Sequence, residues 1–134
     1  MIPWMQRPRV WFGAYAGWLA VLFVLSSLPG SGLEFHPFGG FDKIEHAGYF
    51  LVGSLILGLG LSTRGDWPRR WWWLPLAASG AGAFDEWHQQ FSPGRSGLSG
   101  GDWLADVGGG FAGIFAVGLI RRRWRAIRPP VPDF

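Results

Sequence analysis

At 134 residues the chain has room for one domain, and its formal charge of +3 sits on a composition that is 49% hydrophobic, 17% aromatic and only 16% charged. An ordinary soluble domain carries about 25% charged residues. The lack of cysteine excludes a disulfide framework, a thiolate metal site and a cysteine nucleophile, and it leaves redox compartment undefined.

Arg7 and Arg9 precede a first apolar stretch at about 10–28, which Pro29-Gly30-Ser31-Gly32 ends. The pattern resembles a secretory signal peptide, but the apolar core exceeds the usual ~7–15 residues and no clean A-x-A site follows. An uncleaved membrane helix is expected. The next loop holds Glu34, His36, Asp42 and Lys43, and Glu45 and His46 open a second apolar stretch at about 44–61. A third, at about 71–91, contains Asp85 and Glu86, and a fourth covers about 103–120. Each approaches the roughly 20 residues an α-helix needs to cross about 30 Å of hydrocarbon. Unpaired backbone groups are costly in lipid, so these segments should be helical. The expected fold is an all-α membrane protein, a compact four-transmembrane-helix bundle forming a single domain over 1–134. Residues 121–134 are expected to form a basic, Pro-rich cytoplasmic tail.

Orientation follows from the basic residues. With both termini cytoplasmic, the 12 lysines and arginines split 10 inside to 2 outside, the two being Lys43 and Arg95. Trp4, Trp11, Trp67, Trp71, Trp72, Trp73 and Trp124 then form an inner interfacial belt. The run Arg121, Arg122, Arg123, Arg125 and Arg128 directly follows an apolar stretch, as a cytoplasmic anchor does, and no nucleic-acid-binding fold accompanies it. No nucleic-acid partner is expected. Four pairs at four-residue spacing, Gly13 with Gly17, Ser54 with Gly58, Ala78 with Gly82 and Gly109 with Gly113, should let helix backbones approach closely.

This topology gathers ionisable residues from three segments at one depth, near the outer face. Asp42, His46, Tyr49 and Gly53 form one helical stripe; Asp85, His88 and Gln89 share a face, as do Asp102, Asp106, Gly109 and Gly113. Charges inside membrane segments are expensive and commonly face the bundle interior, paired or functional. Lys43 and Arg95 suit an anionic group, since Arg recognises carboxylate or phosphate bidentately and Lys adds a point charge. His46, Asp85 and Glu86 are the candidate reactive or hydrogen-bonding core, with Asp42, Tyr49, Gln89, Asp102 and Asp106 completing a ligand-binding set. The bland alternative is that Asp42 and Asp102 cap their helices and that pairs such as Asp42–Lys43 or Asp85–Arg95 merely hold the bundle. No metal motif such as H-E-x-x-H is present, so no metal ligands are assigned; His46, Asp85, His88 and Asp102 are the donors a metal would use. The sequence leaves the cofactor open.

The motifs Asp42-Lys43-x-x-His46-x-x-Tyr49 and Asp85-Glu86-x-x-Gln89, followed by Gly94-Arg95, Asp102, Asp106 and Gly109, resemble the VanZ-like family of bacterial membrane proteins. The resemblance covers about 41–113. Asp106 departs from it, because the family pattern usually has Asn there. The resemblance implies a multi-pass protein of the bacterial cytoplasmic membrane with an outward-facing site. It also implies a link to the cell envelope and to teicoplanin, a lipoglycopeptide acting at the outer membrane face. The function expected is binding, and conceivably modification, of an anionic lipid-linked or cell-wall precursor among membrane lipids. The alternative is a non-enzymatic envelope factor whose polar cluster is structural, and the sequence does not decide whether the protein is an enzyme.

Overall fold

The computed structural model describes residues 6–30, 39–64, 67–95 and 97–127. Glu34, His36, Trp4, Ser96, Arg128 and the Pro-rich end lie outside them. The described residues form four long helices and one single turn: α1 (Pro8–Ser27), α2 (Phe41–Ser62), α3 (Trp67–Arg70), α4 (Trp73–Gln89) and α5 (Gly100–Ile127). No strand occurs among the described residues.

The helix ends have local causes. Pro8 opens α1, where its missing N–H is no loss, and Leu28 leaves the helix in an extended conformation ahead of Pro29. Gly40 enters α2 with a φ of 87°, in the left-handed region that glycine tolerates. The Ser99 hydroxyl accepts the backbone N–H of Asp102 at 3.2 Å and so caps α5.

α1, α2 and residues Gly100–Trp124 of α5 are long and apolar enough to cross a membrane. α4 differs from its expectation. It has 17 residues, about 25 Å at 1.5 Å per residue, and carries Asp85 and Glu86. The rest of the expected third span is taken up by turns at Trp71–Trp72 and after Gln89. α5 departs in the other direction: it continues through the arginine run to Ile127, since no Gly or Pro follows Gly118 until Pro129.

α2 and α5 run parallel and pack most extensively, α4 packs on α5, and α1 lies on α2 and meets α4 only lightly. Small residues carry the α2–α5 contact. A Cβ on Gly109 would lie 2.9 Å from the Leu51 backbone nitrogen and 3.0 Å from Phe50 Cβ. Gly113 faces Ser54. Gly13 and Gly17 are the exception among the four expected pairs, because no atom of another element comes within 4 Å of where their Cβ atoms would be. On the α1–α2 seam the packing is aromatic: Trp18 stacks between Tyr15 and Tyr49, meets Phe50 edge-on and covers Gly53.

The distribution of polarity is inverted relative to a soluble domain. Large apolar side chains point outward on every long helix, including Phe23, Val52, Phe84, Leu104 and Phe115. Ser54, Asp85, Glu86, Gln89 and Asp106 are buried instead. The two ends of the bundle also differ. At one, Arg121 donates to the Ser62 carbonyl at the end of α2 and lies over the Trp67 ring, and Arg64 lies over Phe12. At the other end the carboxylates and His46 assemble.

Candidate functional site

The polar end joins the C-termini of α1 and α4 to the N-termini of α2 and α5. Asp106 is fully buried, and its Oδ1 lies 2.8 Å from His46 Nδ1. A carboxylate only accepts, so Nδ1 carries the proton and Nε2 keeps its lone pair when the ring is neutral. Asp106 fits between helices because α4 presents Gly82 to it: a Cβ there would press on the Asp106 carboxylate. Gly82→Ala should therefore displace Asp106 and break its bond to His46. The expected result is a lower unfolding midpoint in detergent, by the equivalent of about 2 kcal/mol, with no loss at the exposed Gly80→Ala, where a Cβ meets nothing within 4 Å.

On α4, Asp85 Oδ2 accepts from Gln89 Nε2 at 2.7 Å, one turn on. Glu86 is held from the loop: its Oε2 accepts the Ser99 N–H at 2.6 Å and its backbone carbonyl the Leu98 N–H at 3.2 Å. Leu98 adopts a φ of 64°, a strained conformation for a residue with a side chain, and this lets consecutive N–H groups reach Glu86. Glu86 Oε1 and Asp106 Oδ2 are buried with no hydrogen-bond partner. One donor atom each from His46, Asp85 and Glu86 lie within 4.8 Å of one another.

The other expected site residues separate into roles. Lys43 Nζ bonds Asp102 at 2.8 Å and Asp42 at 2.9 Å, so the expected Asp42–Lys43 pair forms as part of a triad. With Lys43 largely exposed, this triad adds little stability. Arg95 donates from Nε to the Leu28 carbonyl at 3.1 Å and from an Nη to the Leu25 carbonyl at 3.3 Å. It thereby caps the end of α1, adding a second donor to the Leu25 carbonyl, which already accepts the Leu28 N–H at 3.2 Å. Tyr49 donates to the Trp18 carbonyl at 3.2 Å. His88 engages α1: it contacts the Ser27 hydroxyl at 2.8 Å and stacks on Phe23. The donors gathered on His46 are thus Asp85 and Glu86 rather than His88 and Asp102.

Two cavities adjoin this cluster. The first, about 170 Å³, is lined by His46, Tyr49, Asp85, Gln89 and Arg95 together with Ser26, whose buried hydroxyl oxygen has no partner. The second, about 380 Å³, is apolar and lies between α1 and α4, among Tyr15, Leu19, Phe23, Ala77, Ala81 and Phe84. Leu22 and Asp85 line both.

No family model, curated protein or solved structure matches the chain.

Sequence reasoning missed Ser99, Ser26 and the capping role of Arg95. Ser99 had a readable signal, a Ser-x-x-Asp run ahead of an apolar stretch. The bonds from Arg95 to α1 carbonyls depend on tertiary approach and leave no local trace.

Proposed function

We propose that the chain is a multi-pass membrane protein, crossing four times with both termini cytoplasmic, whose polar end opens outward and binds an anionic amphiphile. α4 makes the fourth crossing with help from its neighbours: its polar residues face the interior, and Phe84 and Trp87 face out. The ligand class is a lipid or lipid-linked envelope precursor. One observation carries this reading. A cavity bearing Arg95, His46 and Asp85 lies beside an apolar cleft, with Leu22 and Asp85 bordering both, a pairing suited to a charged head and an attached chain. Two N–H groups of Arg95 are used on α1 and the guanidinium has others to offer an anion. His46, Asp85 and Glu86 form the core beside the head group, whether for binding or for proton transfer. Membership of the VanZ-like family, and with it a cell-envelope role touching teicoplanin susceptibility, belongs to the same proposal and rests on the quoted motifs.

Native mass spectrometry of detergent-purified protein offered phosphatidylglycerol or phosphatidylcholine tests this. The parent is expected to retain the anionic lipid preferentially. Arg95→Ala should weaken retention about tenfold, the loss of one charge-assisted contact. Ala81→Trp, which fills the apolar cleft without touching Arg95, should weaken it as well. Equal retention of both lipids by the parent, or retention unchanged in both folded variants, would refute the reading. The buried Asp106–His46 bond between α5 and α2 favours a second reading, in which the polar set chiefly locks the bundle.

A further inference from the structure

We infer that His46, Asp85 and Glu86 form a binding site for one divalent transition-metal ion, of the Zn²⁺ or Mn²⁺ class. Their donor atoms come from two helices and already lie within 4.8 Å of one another. Metal–ligand bonds of about 2.0–2.2 Å set donors roughly 3–4 Å apart, so side-chain adjustments of about an ångström close the shell. One imidazole nitrogen with two carboxylates suits such an ion better than Ca²⁺ or Mg²⁺, which prefer oxygen alone.

An independent observation points to a ligand. Glu86 is only 3% exposed, its Oε2 is taken by the Ser99 N–H, and its Oε1 has no partner. A buried carboxylate oxygen without a partner is costly, and a cation bound beside it removes the cost. Charge leads to the same place. Asp85, Glu86 and Asp106 are all buried here; the chain's single lysine, Lys43, is occupied by Asp42 and Asp102, and Arg95, which borders the same cavity, is tied to carbonyls of α1. A divalent ion offsets the two carboxylates that would ligate it.

The surroundings match what metal-binding histidines need. Asp106 fixes His46 through Nδ1, which leaves Nε2 to the ion, and Gln89 orients Asp85. His46 and Asp85 line the cavity of about 170 Å³, which supplies the entry path and space for water or a ligand oxygen to complete the coordination. The site is a property of these side chains and stands whether or not the cavity takes a lipid.

The test uses full-length protein, stripped with chelator in detergent and titrated with Zn²⁺ or Co²⁺ alone by calorimetry and Co²⁺ d–d absorption. Expected is one ion per chain, at least tenfold weaker binding in Asp85→Asn and Glu86→Gln, about tenfold weaker in Asp106→Asn, and parental binding in His88→Ala. Glu86→Gln keeps an acceptor for the Ser99 N–H. If that variant nonetheless fails to fold, the parent decides: its thermal midpoint should rise on adding metal and fall back with chelator. No stoichiometric uptake by the parent, or a Glu86→Gln variant that binds as the parent does, would overturn the site.

Discussion

Asp106→Ala is expected to cost about 3 kcal/mol of stability, the range seen when one partner of a buried polar pair is removed. Asp106 is fully buried and holds His46 at 2.8 Å, so truncation leaves the ring without its acceptor and a void beside Gly82. Asp106→Asn keeps both the volume and an acceptor oxygen for Nδ1–H, and should stay within about 1 kcal/mol of the parent. Unfolding midpoints in an SDS titration check this. Equal losses in the two variants would mean that the negative charge, and not the hydrogen bond and packing, is what the site requires.

The second large effect contrasts neighbouring residues of α5. Gly109→Ala is expected to destabilise the bundle by about 2–3 kcal/mol, because the added methyl meets backbone atoms of α2 that cannot move aside singly. Gly108→Ala meets nothing within 4 Å and should be neutral or stabilising by up to about 1 kcal/mol, the helix-propensity difference between the residues. Helix formation favours alanine at both positions, so opposite signs isolate the tight α2–α5 approach. Matching signs would contradict that approach.

Much of the bundle could be read from apolar runs, since lipid-compatible helices announce themselves by length and composition. The stripes on α2 and α5 were legible as well: a four-residue step places His46 and Asp106 on faces that meet. The ends of α4 were not, because Trp71, Trp72 and Phe91 continue the hydropathy of the helix while lying in turns or beyond its cap. Nor was the rotation of α1, where abundant glycine made Gly13 and Gly17 resemble a packing face that the structure leaves open. The partners of His88 were not legible either. This residue lies three residues beyond Asp85, close enough on a helical wheel to share its face, yet α1 supplies Ser27 and Phe23 as nearer partners. The meeting of Glu86 with the loop rests on the left-handed backbone of Leu98, which no propensity would place at a leucine.

The carboxylate–histidine end of the bundle is proposed to face outward and the arginine end to face the cytoplasm. The absence of native cysteine makes a direct measurement simple. Leu98→Cys reports on the loop at the polar end, where the residue is 67% exposed. Arg122→Cys reports on the opposite end, on an exposed position of α5. A membrane-impermeant maleimide added to intact cells should label the first and leave the second unlabelled until the membrane is opened. Labelling of the second alone, or of both in intact cells, would contradict the proposed orientation and with it the outward-facing site.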